Sequence, residues 1–175
     1  MEERAALDVL FAGWESYQGK FAVAIAGLTD EQMLLRAAPG LRSIGDLLAH
    51  MIAARAGWFH VELGMGGEEF LPIATWDMSP EERAEASNWR DVDAPSPSAD
   101  ELREALRSTW TLVRNSLDIW TPEQLTETVH SGSPGNERKI FVRGWVVYHV
   151  LEHDLHHGGE LGLSLGMHGL PAPDL

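Results

Sequence analysis

Tyr148-His149-Val150-Leu151-Glu152-His153-Asp154-Leu155-His156-His157-Gly158-Gly159-Glu160-Leu161 holds four of the chain's eight histidines. Around it Val146, Val147, Val150, Leu151, Leu155, Leu161 and Leu165 recur at helical rather than strand spacing. His153 and His157, four residues apart, therefore share one helix face. Neutral imidazole is a common ligand for zinc and other late first-row ions, so two rings placed this way can hold one divalent metal. A third ligand has to come from elsewhere in the chain.

Working outward, the histidines fall on the last of four expected helices, from about Ile140 to Leu165. The first runs from about Arg4 to Ala26, with Leu7, Leu10, Phe11, Trp14, Tyr17, Phe21 and Ile25 at three- and four-residue steps, and stops at Gly27. The second starts at Ser43, capped with Asp46 three residues on, and carries Leu47, Leu48, Met51, Ile52, Trp58 and Phe59 to about Leu63. His50 sits on it. Ser98-Ala99-Asp100-Glu101 is a capping box opening a third helix to about Ile119, with Leu102, Leu106, Trp110 and Val113 as its stripe.

The connections have their own signals. Residues 64–97 are rich in Gly and Pro, with one short helix expected over Ser79 to Trp89, and a connection of that length can cover a site. Residues 121–139 are polar and broken by Gly132, Pro134 and Gly135, and Gly166 to Leu175 is a tail. Leu28-Thr29-Asp30-Glu31-Gln32-Met33 is echoed by Trp120-Thr121-Pro122-Glu123-Gln124-Leu125, and each precedes a loop and a histidine-bearing helix. Four helices without an alternating strand pattern predict an all-α fold. The expectation is one domain over residues 1–175, a four-helix bundle with a long connection between helices 2 and 3.

Composition narrows the function classes. Lys and Arg total 13 against 27 Asp and Glu, a net charge of −14, and no basic run could follow a phosphate backbone. Nucleic acid is not an expected partner. Met1-Glu2-Glu3-Arg4 lacks the basic and apolar regions of a signal peptide, and no apolar run approaches the length of a membrane span. A soluble cytoplasmic protein without a membrane partner is expected. With no cysteine, disulfides, thiolate nucleophiles and cysteine zinc sites are excluded, so any metal rests on His, Asp or Glu.

Bundle interiors assemble metal sites from facing helices, which makes His50 the natural third ligand. On the last helix the pair can be His149 with His153, His153 with His157, or His153 with His156, and His153 belongs to every version. Glu160, three residues after His157, reaches the same face as a partner for a ligand or as a base. Asp154 and Glu152 lie about 100° to either side of His153. Gly158 and Gly159 permit a close approach beside His157, or the helix frays there. Trp14, Trp58, Trp110 and Trp145 are core residues by their helical spacing, or line a pocket. A carboxylate-bridged di-iron site is disfavoured, because it needs two Glu-x-x-His pairs plus two further Glu.

Pro39-Gly40-Leu41-Arg42-Ser43-Ile44-Gly45-Asp46-Leu47-Leu48-Ala49-His50, taken with the late histidine stretch, resembles the DinB-like family of bacterial damage-inducible four-helix-bundle proteins. The resemblance spans nearly the whole chain. It implies an up-down-down-up bundle, often a homodimer, with a divalent metal on His50, His153 and His157. Related members are thiol-dependent transferases or isomerases that act with mycothiol, bacillithiol or glutathione, and many others have no known activity. The chain departs from the family pattern at Gly158, where Arg is common, and at Glu160, where Gln is common.

Three neutral imidazoles leave an ion its full charge and an open position, as in catalytic sites. The expected function is metal-dependent activation of a low-molecular-weight thiol, or of water, for attack on a small electrophilic substrate, as in an S-transferase, isomerase or hydrolase. The expected metal is zinc, nickel or iron, because imidazole suits each. The competing readings are a stress-response metal-binding protein without turnover and a dimeric interaction module.

Overall fold

The computed structural model describes residues 2–78, 97–131 and 139–173. The chain is mostly helical. Helix α1 spans Glu2–Ile25, α2 Asp30–Met33 and α3 Ile44–Arg55, which continues as a π-helix over Ala56–Glu62. Helix α4 is Phe70–Ile73, α5 Ala99–Ile119 and α6 Pro122–Leu125. Strands β1, Thr128–Ser131, and β2, Lys139–Val142, precede α7, Arg143–Met167.

The helix starts follow from their caps. Ser43 accepts the Asp46 amide while Asp46 accepts the Ser43 amide, and Ser98 and Glu101 repeat the exchange at α5. Each such cap contributes about 1 kcal/mol. The two echoed segments become four-residue helices, α2 and α6, with the same box made by Thr29 and Gln32 and by Thr121 and Gln124.

Three expectations change. Ile140 to Val142 do not open the last helix. They pair antiparallel with β1, with His130 opposite Ile140 and Val129 opposite Phe141. A short apolar run satisfies strand and helix spacing equally, and here the pairing wins. The second helix does not stay α-helical to Leu63, since Leu63 N–H reaches the Trp58 carbonyl at 3.1 Å, five residues back. The long connection holds a helix other than the one expected, α4, whose buried Phe70 brings it against the π-helix. The helix expected over Ser79 to Trp89 lies outside the described residues, as do Gly132, Pro134 and Gly135.

Helix α3 packs against both α5 and α7, and α1 packs against α5. Two apolar clusters result, and all four long helices contribute to each. Phe21, Ile25, Leu48, Ile52, Leu102, Leu161 and Leu165 belong to one. Phe11, Trp14, Phe59, Val113, Leu117, Val147 and Val150 belong to the other.

Polar residues lie between the two clusters along every helix. Arg55 and Asp154, both fully buried, form an ion pair in which Nε donates to Oδ1 at 3.1 Å and Nη2 to Oδ2 at 3.0 Å. Trp14 Nε1 and Gln18 Nε2 donate to the same Oδ2 at 2.8 and 2.9 Å, Arg55 also donates to Gln18 Oε1, and its Nη1 reaches the Leu106 carbonyl. Burial pushes the Asp154 carboxyl up, opposed by Arg55 and Trp14. Four donors on two oxygens fit the ionised carboxylate.

Gly158 explains how α1 approaches α7. A Cβ there would overlap the Tyr17 hydroxyl and come within 2.6 Å of Phe21 Cζ, whereas one at Gly159 would meet nothing within 4 Å. Close approach, not fraying, accounts for Gly158. The space that an Arg would need at this position is filled by the two rings.

Candidate metal centre

Helix α3 presents His50 on the turn before Arg55, and α7 presents His153 and His157 one turn apart. The three rings form a triangle with centroids 4.4 to 4.5 Å apart. His50 Nε2 lies 2.9 Å from His153 Nε2 and 3.1 Å from His157 Nε2. The ligand atoms of all three fall within 4.8 Å of one another. Of the pairs that spacing left open on α7, His153 with His157 is the one brought against His50.

The outer nitrogens show what the inner ones present. His50 Nδ1 lies 2.7 Å from Asp77 Oδ2, and His157 Nδ1 lies 2.7 Å from Glu160 Oε2. A carboxylate only accepts, so each Nδ1 carries the proton and each Nε2 of the neutral ring presents a lone pair. Burial holds the His50 pKa below its ordinary value, against the opposing pull of Asp77. Burial, reinforced by His50 and His157, pushes His153 down to about 3. His50 and His153 are thus neutral at physiological pH. Their Nε2 atoms would repel across 3 Å unless a proton or a cation lay between.

This arrangement fits a metal ion. Ligands of zinc about 2.0 to 2.1 Å from the ion stand roughly 3.3 Å apart in a tetrahedron, so the rings need to open by only a few tenths of an ångström. His153 Nδ1 is buried without a hydrogen-bond partner, which leaves its Nε2 as the atom aimed at the other two. Carboxylate partners on the outer nitrogens of two rings are the usual support of histidine ligands.

The other histidines are elsewhere. His149 stacks flat on Trp145 at 5.0 Å and meets the edge of Trp58, with its centroid 6.4 Å from His153. His156 is exposed, but its ring groups with His157 and Glu160 as a second possible ligand set that shares His157. His60 Nδ1 pairs with the Met65 carbonyl and His168 Nε2 with the Arg36 carbonyl. Trp14 is core and Trp110 packs edge-on against it, while Trp58 and Trp145 pack on each other and on His149. Glu152 is exposed and pairs only loosely with His149, and Asp154 faces the core.

Asp77 is the site residue that periodicity did not single out. It follows α4 and joins two parts of the site, accepting from His50 through Oδ2 and facing Arg42 Nη2 at 3.4 Å through Oδ1. The one available signal was its place in the long connection expected to cover a site.

Comparison with known proteins agrees with this fold. The family model described as the DinB superfamily matches residues 14–161. A DinB-like protein from Bacillus cereus ATCC 10987 is similar over 94% of each chain, at 19% identity and a TM-score of 0.65. A conserved protein from Enterococcus faecalis is similar over 87% of this chain and 93% of its own, at 15% identity and a TM-score of 0.61. At these identities the structural likeness concerns the fold alone. No curated protein matches the chain.

Proposed function

The chain belongs to the DinB superfamily, and from that premise we propose that it is a metal-dependent enzyme in which His50, His153 and His157 hold one divalent ion. The observation that carries this reading is the convergence of three Nε2 atoms while Asp77 and Glu160 occupy two of the outer nitrogens. A divalent ion so held supplies Lewis acidity that makes a thiol or water nucleophilic at neutral pH. With no cysteine in the chain, a thiol must arrive as a low-molecular-weight cosubstrate. The reaction class is attack of that nucleophile on a small electrophile, as in an S-transferase, isomerase or hydrolase. Zinc, nickel and iron all suit the ligand set.

The protein's own residues divide the remaining work. His153, kept neutral by burial, stays available as a ligand over the physiological range. Asp77 and Glu160 fix the tautomers and orientations of His50 and His157. The hydrogen bond from His157 holds the Glu160 carboxyl below its ordinary range, which suits it to positioning a ligand and makes it a poor base at neutral pH. In this reading the four long helices form a single-domain, up-down-down-up bundle that works as a cytoplasmic homodimer. Among the described residues no helix is long and apolar enough to cross a membrane.

Metal content of untagged protein, measured by elemental mass spectrometry, tests the proposal. About one divalent ion per chain is expected, lost in both His50→Ala and His153→Ala. No metal after reconstitution, or full retention in both variants, overturns it.

A further inference from the structure

A cavity of about 390 Å³ opens beside the histidine centre, bounded by His157 and Glu160 of α7, by Arg42 ahead of α3, and by the apolar side chains of Leu47 and Leu163. That volume suits a small molecule. We propose that this cavity binds a small carboxylate-bearing substrate, with Arg42 as the cation that docks the carboxylate. The inference rests on the metal-site reading and names the substrate class for it.

Arg42 is poised for such a partner. Its side chain is 43% exposed, and its ion pair with Asp77 is long, at 3.4 Å. Among the described residues the guanidinium makes no hydrogen bond, so most of its five donors are open. The nearby Arg36 is engaged, with the Leu41 carbonyl at 2.6 Å and Asp46 at 3.0 Å. An open guanidinium fork matches the two oxygens of a planar carboxylate.

Charge supports the same occupant. The chain as a whole carries −14, which repels anions. At the cavity, however, Asp77 and Glu160 are already engaged by the Nδ1–H groups of His50 and His157. Neutral rings leave both carboxylate charges in place, and Arg42, which faces Asp77 and acts on Glu160, offsets one of them. A divalent ion on the three histidines would outweigh the negative charge that remains, so that the loaded site attracts an anion. The apolar walls take the body of the substrate while the two cationic points fix its ends.

The test uses cobalt-loaded protein titrated with 3-mercaptopropionate and with its uncharged counterpart 3-mercaptopropan-1-ol, read by the thiolate-to-cobalt charge-transfer absorption. The carboxylate thiol should bind about tenfold more tightly to the natural protein, the scale of one charge-assisted pair. That ratio should fall to about one in Arg42→Gln and be partly kept in Arg42→Lys, with metal content unchanged. Equal binding of the two thiols by the natural protein overturns the inference. Equal weakening of both thiols in Arg42→Gln also overturns it, because that marks a structural role exerted through Asp77. Failure of the natural protein to load metal overturns the metal-site reading and this inference together, whereas loading without a preference for the carboxylate overturns this inference alone.

Discussion

His153 is neutral because its surroundings penalise charge, and that has a measurable effect on stability. In the unfolded chain it takes up a proton near the ordinary 6.5, whereas in the folded protein burial, followed by His50 and His157, delays this to about 3. Between those values the unfolded state binds more protons, so the metal-free protein gains stability as pH rises through the window and loses it as pH falls. The lowered pKa of His50 acts in the same direction. Thermal melts of metal-free protein from pH 7 down to about pH 4.5 should show this decline, and His153→Gln should flatten it. An equally steep decline in the variant would contradict the assignment. At this scale the sequence was partly legible. Glu160 could be paired with His157 because a step of three on one helix fixes their proximity. Asp77 could not be paired with His50, because it follows an irregular stretch in which no period says which side chain turns inward.

Element by element, what could be read was what local chemistry fixes. Ser43 with Asp46 and Ser98 with Glu101 announce their helices through side chains that satisfy backbone amides three residues away. The hairpin was not legible, since Ile140, Phe141 and Val142 continue the apolar spacing of α7 and only pairing with β1 separates them from it. The π-helix gives no punctuation in sequence at all. Gly158 and Gly159 were equivalent on paper and are not so in the fold, which predicts opposite outcomes for one substitution. Gly159→Ala adds a methyl group to open space and should stabilise by up to about 1 kcal/mol through helix propensity. Gly158→Ala forces Tyr17 and Phe21 to shift, and an overpacking cost of about 1 to 3 kcal/mol outweighs that gain. Urea denaturation of the two variants should therefore move the midpoint in opposite directions. A higher midpoint for Gly158→Ala would show that α1 yields freely at this contact.

On the scale of the whole molecule, the polar layer of Trp14, Gln18, Arg55 and Asp154 ties α1, α3 and α7 together midway along the core, and its Arg55 also reaches the Leu106 carbonyl of α5. Apolar clusters on both sides tolerate small slips of one helix past another, whereas a carboxylate that must meet four donors does not. Asp154 directly follows His153, so the same contacts that saturate it set the rotation of α7 against α3 and turn His153 and His157 towards His50. Removing the charge while keeping the shape isolates this role. Asp154→Asn leaves Arg55 fully buried without its counter-charge and should cost about 3 to 5 kcal/mol. Trp14→Phe removes one donor and part of a buried ring while leaving the Arg55–Asp154 pair in place, and should cost less, about 2 kcal/mol. Urea denaturation of metal-free protein checks the ranking. Chelator competition, run where both variants remain folded, should show metal affinity falling further in Asp154→Asn than in Trp14→Phe. Equal costs would mean that the core tolerates an unpaired Arg55, and an unchanged metal affinity in Asp154→Asn would mean that packing alone sets the register of the three histidines.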